Sequence, residues 1–290
     1  MTSFGVSPKP RIMSAPAIKA ADVKKLRDAT GAGMMDCKKA LAATGGDFDE
    51  AVAELRKKGQ KVAAKRADRD ATEGVVIAKV NADNTKGIIF KLTSESDFVS
   101  KNADFVAVAQ KMADVAIDNL PKDQAAFESL SYDGDTTIAG KATERTGVIG
   151  EKIEVTDYAL VEAPLVVAYN HMGNRAGVLA AFNKSGDFVD AARDVAMQVA
   201  AMKPIAVDKD GVDASVVEKE IEIGKEVARN EGKPEAMLEK IANGKLNKFY
   251  KENTLVNQAF VKDGKKTVAQ YLKDQDKELA VTDFKHVKLG

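Results

Sequence analysis

The 290-residue chain has no tryptophan, one cysteine and two histidines. A single cysteine cannot form an internal disulfide, which is typical of proteins kept in a reducing cytosol, so we expect a cytoplasmic location. Cys37, His171 and His286 do not have the spacing of a metal-binding cluster. Long apolar runs are also missing, and none approaches the roughly 20 residues that cross a bilayer. These absences predict a protein without disulfides, bound metal or membrane spans.

Nucleotide-binding loops and catalytic clusters are absent as well. The chain has no Gly-x-x-x-x-Gly-Lys-Ser/Thr loop. Gly31-Ala32-Gly33 lacks the third glycine of a dinucleotide-binding turn and follows a helical pattern rather than a strand. Cys37 lies on an apolar helical stripe, which favours a structural cysteine over a nucleophile. Because no acid, base and nucleophile occur together, the sequence predicts a protein that is not an enzyme and needs no cofactor.

Neither sign of charge is in excess, because 44 basic residues balance 44 acidic residues. Phosphate binding normally requires a basic excess, so we expect no direct nucleic-acid partner. The first 17 residues lack the apolar core of roughly 7–15 residues that a secretory signal needs. They are interpreted either as a disordered tail or as residues that precede a true start at Met13.

Residues 18–57 show three short helical patterns separated by glycines, which predict a small partner-binding domain of three helices. Asp47 is predicted to cap the third helix, and Gly59 is predicted to end it. The charged residues 58–73 that follow are interpreted as a linker. The predicted apolar stripes are Val23, Leu26 and Thr30; Met34, Cys37, Leu41 and Thr44; and Phe48, Val52 and Leu55.

Two adjacent methionines, Met34 and Met35, begin the second of these helices. Adjacent helical residues point about 100° apart, so both cannot face one core. Met34 is predicted to begin the buried stripe, whereas Met35 shares its face with Lys38 and Lys39. A flexible, polarisable methionine on a solvated face suits contact with a partner protein. The alternative is a helix end at which Met35 is partly covered by its neighbours.

An internal duplication organises the rest of the chain into two halves, 74–163 and 164–290. In each half, two strand patterns joined by a turn lead into a helical pattern, and the second strands begin at Gly87 and Gly177. From Gly87 to Asp104 is 17 residues, but from Gly177 to Asp187 is 10 residues. The first half therefore carries seven extra residues. The predicted architecture is an α+β core whose two sheets pack or pair.

The seven extra residues fall around Thr93–Ser100, a polar segment that contains one aromatic residue, Phe98. Because the second half folds without this segment, we expect it to serve binding rather than folding. The alternative is that Phe98 packs back onto the sheet. A further segment, at about 212–248, has narrow apolar stripes on both sides of Gly232-Lys233-Pro234 and predicts an antiparallel helical hairpin with a thin seam. The predicted seam residues are Val216, Val217, Ile221, Val227 and Ala228 before the turn, and Met237, Leu238, Ile241 and Leu246 after it. This hairpin either projects from the core or pairs with another molecule.

Four separated motifs resemble the elongation factor Ts family, and the resemblance covers residues 18–289. They are the Met34-Met35 segment, Ser96–Val99, Val148–Glu151 and His171–Val178. The resemblance implies an N-terminal three-helix, ubiquitin-associated-like domain, a linker, and a two-half α+β core with an inserted coiled-coil hairpin. Members of this family bind elongation factor Tu carrying GDP and expel the nucleotide during translation elongation.

The resemblance also implies partner contacts at Asp97, Phe98, Val99, Met34, Met35, Ile149, Gly150 and His171. The residues at Asp97 and Phe98 are expected to push into the GTPase domain near its magnesium site, and the two methionines are expected to contact the same domain. Ile149, Gly150 and His171 are expected to contact other parts of the partner. Two departures change this expectation. Thr156-Asp157 stands where paired arginines are common, and a further C-terminal helix of some members has no counterpart after the last predicted strand.

Two other functions compete with nucleotide exchange. In the first, the chain is an adaptor that binds a protein through Met35 and forms a homodimer through its core or hairpin. This adaptor would not require the seven-residue insertion. In the second, the chain is an enzyme, for which the sequence offers no cluster of catalytic groups.

Overall fold

A computed structural model describes residues 18–290, and the interpretation of Met13 concerns residues outside this range. The α-helices are α1 (Ala20–Thr30), α2 (Met34–Ala43), α3 (Phe48–Lys65), α4 (Asp97–Ser100), α5 (Ala103–Asn119), α6 (Gln124–Ser129), α7 (Ile138–Ile149), α8 (Val189–Met202), α9 (Ala214–Asn230), α10 (Glu235–Asn253) and α11 (Val268–Gln275). The β-strands are β1 (Glu73–Val80), β2 (Lys86–Ser94), β3 (Ser131–Asp133), β4 (Thr136–Thr137), β5 (Glu154–Glu162), β6 (Leu165–His171), β7 (Ala176–Phe182), β8 (Ala259–Phe260), β9 (Asp263–Thr267) and β10 (Val281–Lys288). The predicted mixture of helices and sheets is confirmed.

The described residues divide into two compact units. The helical unit contains residues 18–68 and 143–151, and the sheet unit contains residues 69–142 and 152–290. The sequence pattern grouped residues 143–151 with the first core half. The structure groups them with α1, α2 and α3 instead, because Val148 packs against the apolar core of those helices.

Local signals explain how the helical unit folds. The first helix ends at Gly31, whose φ of 69° is a left-handed conformation that glycine adopts without strain. The third helix begins at Asp47, where the carboxylate accepts a hydrogen bond from the backbone N–H of Glu50 at 2.8 Å. The buried apolar cluster consists of Val23, Leu26, Ala32, Cys37, Ala40, Leu41 and Ala51.

Two predictions for this unit are wrong. The α3 helix does not end at Gly59 but continues to Lys65, so the first part of the predicted linker 58–73 is helical. Gly59 is buried in a contact between α3 and another helical segment, so it marks a packing site rather than a helix stop. Met34 does not join the buried stripe and is 59% exposed, because the core contacts of α2 begin one turn later, at Cys37.

The sheet unit contains two antiparallel three-stranded sheets, with strand orders β1-β2-β5 and β10-β7-β6. The α5 helix buries Phe105 and Met112, and it packs against the first sheet. The α8 helix packs against the second sheet and buries Val195 and Val199 in the same apolar cluster as β6 and β7. Each half therefore contains an antiparallel hairpin, a third strand that completes its sheet, and a covering helix, α5 or α8.

The two sheets pack face to face through small and branched side chains. Gly87 and Gly177, which begin the second strand of each hairpin, lie at the closest approaches. A Cβ atom on Gly87 would lie 2.8 Å from Leu179 Cδ2, and one on Gly177 would lie 3.0 Å from Val76 Cγ1. Each glycine thus makes room for a side chain of the opposite sheet, which relates the two hairpins as equivalent parts. The shared cluster includes Val76, Ala78, Ile89, Val166, Leu179 and Ala181.

The helical hairpin is formed by α9 and α10. At its seam a Cβ atom on Gly224 would lie 3.0 Å from the Cα atom of Ala242, so the helices meet almost backbone to backbone. Because glycine and alanine define this approach, Val227 and Met237 are displaced from the seam and exposed. Their predicted places on the seam are therefore wrong. The buried seam residues are Gly224, Ala228, Leu238, Ala242 and Leu246.

Candidate partner-binding surfaces

The extra segment of the first half is not a loop throughout. The β2 strand continues to Ser94, and residues Asp97–Ser100 form the single turn of α4. Ser100 is buried and its hydroxyl donates to the carbonyl of Asp97 at 3.1 Å, which ties the turn to itself. Ser94 donates in the same way to the carbonyl of Ser96 at 3.0 Å. Because these hydrogen bonds fix the backbone of the turn, its other side chains extend from defined positions.

Phe98 is 86% exposed on this turn, so the alternative in which it packs back onto the sheet is wrong. Asp97 lies beside it and accepts a hydrogen bond from Lys101 Nζ at 2.6 Å. The hydrogen bond and the positive charge of Lys101 lower the pKa of the Asp97 carboxyl, which is therefore ionised at neutral pH. Val99, the third predicted residue, is half-buried. The turn combines an exposed aromatic ring with a carboxylate, and an apolar ring in water has a strong tendency to be covered by a partner.

His171 lies at the end of β6, in the turn that leads to β7. Its Nδ1 atom is 3.1 Å from the hydroxyl of Tyr169, which holds the ring at the end of the strand. The next residue, Met172, is 80% exposed. Sequence reasoning missed Met172, although a large apolar residue directly before Gly173-Asn174 is the same kind of signal that marked Phe98.

The structure brings the Phe98 turn and the His171 turn to the same end of β1. Glu73, the first residue of β1, pairs with Ser94 in the ladder and accepts a hydrogen bond from Arg175 at 2.8 Å. The Glu73 carboxylate raises the pKa of the Arg175 guanidinium, and the charge of Asp97 adds to this effect. Asp97, Phe98 and His171, which are far apart in the sequence, therefore belong to one surface of the sheet unit. We call Asp97, Phe98, His171, Met172 and Arg175 the β1-end surface.

The helical unit carries the other predicted contact residues. Met35 is 62% exposed, so the prediction that it faces solvent is confirmed. Both methionines border an open groove between α1 and α2, whose other lining residues include Val23, Lys24 and Lys38. The residues that line the groove are mainly apolar and basic, with one carboxylate, Asp28, a composition suited to an apolar side chain with acidic neighbours.

Ile149 and Gly150 also belong to the helical unit. Ile149 is the last residue of α7, and Gly150 follows it with φ of 83° and donates its N–H to the carbonyl of Thr146 at 2.8 Å. Both residues are half-buried. The predicted contact residues thus fall into two sets, one on each unit: Met34, Met35, Ile149 and Gly150 on the helical unit, and Asp97, Phe98, Val99 and His171 on the sheet unit.

Thr156-Asp157, which replaces the expected arginines, forms a local structural feature. Asp157 has a positive φ of 56° next to a register shift in the pairing of β2 with β5. Its carboxylate lies 2.6 Å from Lys91 Nζ, so this acidic side chain has an intramolecular partner. Residues 18–290 contain no group of three or more histidine, cysteine, aspartate or glutamate side chains arranged to hold a metal ion. In the same part of the chain, no helix is long and apolar enough to cross a membrane.

The described residues form a small helical unit and a duplicated α+β unit, each with large apolar side chains exposed to solvent. The family model for "Elongation factor TS" matches residues 95–290. The chain is 54% identical over 274 residues to elongation factor Ts of Christiangramia forsetii and equally identical to that of Flavobacterium psychrophilum. It is 52% identical over 276 residues to elongation factor Ts of Amoebophilus asiaticus. Each alignment covers 94% of this chain and 99% of the relative.

The chain belongs to the elongation factor Ts family, whose members are guanine nucleotide exchange factors of protein biosynthesis.

Proposed function

We propose that this chain binds elongation factor Tu in its GDP-bound form and accelerates GDP release by disturbing the magnesium and phosphate site of that GTPase. The observation that carries the proposal is Phe98, an aromatic side chain 86% exposed on a helical turn that the sister half lacks. Exposure of an aromatic side chain to water is unfavourable, so the exposure of Phe98 is best explained by a partner that covers it.

The chemistry of the bound nucleotide makes such a wedge effective. A GTPase holds GDP through backbone N–H groups around the phosphates and through Mg²⁺, which requires a near-ideal arrangement of oxygen ligands. Insertion of Phe98 between elements of the GTPase displaces those groups, and the ionised Asp97 carboxylate brings a negative charge to the same place. The displacement weakens the hold on GDP and Mg²⁺, and the negative charge of the carboxylate repels the phosphates of GDP. Linkage then requires that GDP weaken binding of this chain by the same factor.

The two sets of contact residues have different parts in this proposal. Met34 and Met35 contact the GTPase domain and, with Ile149 and Gly150, supply binding energy from the helical unit. The β1-end surface acts on the nucleotide site and on neighbouring parts of the partner. No covalent bond is made or broken in exchange, so the chain is a factor rather than an enzyme. A homodimer through the core or the hairpin stays a prediction.

Release of fluorescent GDP from elongation factor Tu tests the proposal. Substoichiometric amounts of this chain should accelerate release, because one molecule acts on many GTPase molecules in turn. The adaptor alternative predicts binding without acceleration. Phe98→Ala is the matched variant, since it removes the wedge and leaves the helical unit intact. If the unmodified chain bound elongation factor Tu tightly but did not accelerate GDP release, the result would contradict the exchange function and support the adaptor alternative.

A further inference from the structure

Gly59 of α3 and Gly147 of α7 meet backbone to backbone inside the helical unit. A Cβ atom added to Gly147 would lie 2.3 Å from the Cα atom of Gly59 and 3.2 Å from its nitrogen. Backbone atoms cannot move aside as the end of a flexible side chain can, so no other residue fits at 147 without separating the helices. The reverse is not true. A Cβ atom on Gly59 would have its nearest neighbours at 3.4 Å, Thr143 O, and 3.6 Å, Gly147 Cα, which are ordinary contacts.

Two further contacts fix the same segment. Val148 packs against the buried cluster of the helical unit, which includes Leu26 and Leu41. The Nη1 atom of Arg145 lies 3.0 Å from the position that a Cβ atom on Gly31 would occupy, in the turn just before Met34. Residues 143–151 are thus held by α3, by the core and by the turn that begins α2. Ile149-Gly150 and Met34-Met35 are consequently presented by one packed unit.

We infer that Gly147 is a positioning residue for partner binding. By allowing α7 to seat on α3, it places Ile149-Gly150 in a fixed relation to Met34-Met35 before the partner arrives. A partner that contacts both pairs then binds without the entropic cost of fixing one pair relative to the other. The inference rests on the proposed function, because it assigns both pairs to the interface with elongation factor Tu.

Three glycine-to-alanine variants distinguish the positioning role of Gly147 from the general effect of replacing a glycine within a helix. Alanine favours a helix over glycine at all three positions, so propensity alone predicts no loss in any of them. Gly147→Ala introduces the clash, and Gly59→Ala introduces only ordinary contacts. Gly244→Ala is the matched control, since Gly244 lies within α10 and a Cβ atom there would have no neighbour within 4 Å.

The measurement is the rate of GDP release from elongation factor Tu over a range of concentrations of this chain. In Gly147→Ala we expect the half-saturating concentration to rise by roughly tenfold while the maximal rate is retained, because a preorganised contact is lost and the Phe98 wedge is not. The rise should be absent in both Gly59→Ala and Gly244→Ala, because neither added Cβ atom meets a clash. Hydrogen exchange should show faster exchange at residues 143–151 in Gly147→Ala, with the helical amides of α1 and α2 still protected.

A half-saturating concentration in Gly147→Ala equal to that of Gly244→Ala would overturn the inference. Should the helical unit of Gly147→Ala unfold, Val148→Ala removes the side-chain anchor without the clash and should raise the half-saturating concentration by itself. An unchanged value in Val148→Ala would then count against the inference. Failure of the proposed function would be recognised separately, because the unmodified chain would not accelerate GDP release at any concentration.

Discussion

The guanidinium of Arg175 donates to the carboxylate of Glu73 at 2.8 Å, and this pair joins the turn after β6 to the first residue of β1. The contact links the second half of the duplicated unit to the first half, next to Asp97. It therefore aligns the turn that carries Met172 with the turn that carries Phe98. Neither half would contain the β1-end surface without the other.

Loss of this ion pair should affect exchange more than stability. Arg175→Ala frees the turn that carries His171 and Met172, so we expect slower GDP release from elongation factor Tu. The pair is partly exposed, and exposed ion pairs contribute little to folding, so the melting temperature should hardly change. Lys266→Ala is the control, because it removes an exposed pair with Asp274 away from the β1-end surface. Equal rates for the two variants would argue against a role for the Arg175 turn.

Phe98 and Phe105 provide the sharpest contrast between binding and folding. Phe105 is completely buried in α5, and Phe105→Ala should lower the free energy of unfolding by roughly 3–5 kcal/mol, as a core cavity does. Phe98→Ala should change it by only about 0.5 kcal/mol, the usual range for an exposed site. Exchange should nevertheless collapse in Phe98→Ala. Denaturant unfolding and GDP release measure the two effects, and normal exchange by Phe98→Ala would refute the wedge.

The exposed methionines should contribute affinity rather than stability. Met35→Ala and Met172→Ala each remove a flexible apolar side chain that lies in water in the free chain. We expect each substitution to weaken binding to elongation factor Tu by roughly 1–2 kcal/mol, as the loss of an apolar interface anchor does. Met237→Ala is a suitable control, because Met237 is exposed on the helical hairpin. Calorimetric titration of the three variants gives the comparison, and identical affinities would show that neither methionine is an anchor.

His286 should make the sheet unit less stable in mild acid. Burial lowers the pKa of His286 below its ordinary value of 6.5, and the positive charges of Lys288 and Lys203 lower it further. Between this lowered pKa and 6.5 the unfolded chain binds the proton more readily than the folded chain, so stability falls as pH decreases through that window. His286→Gln should lose this part of the pH dependence. Unfolding by urea at pH 7.5 and in the window below pH 6.5 gives the measurement, and equal pH dependence in both proteins would contradict it.

Local signals along the chain predicted much of this fold because their causes are local. The carboxylate of Asp47 caps a helix three residues away, and Gly31 ends a helix by its own conformation. The duplication was readable because both halves use the same hairpin and helix. It also marked the segment around Phe98, since one half folds without this insertion.

Only the tertiary structure decided which apolar faces are covered and which distant segments meet. Helical periodicity identified a stripe through Met34, but whether a neighbour covers that stripe depends on where the other helices lie. In the sequence, Gly59 resembles a residue that ends a helix. In the structure it lies in a helix-packing contact, because its partner Gly147 belongs to another segment of the chain. The approach of Arg175 to Glu73 likewise depends on how the two halves pack, and a contact between such distant residues leaves no periodic trace along the chain.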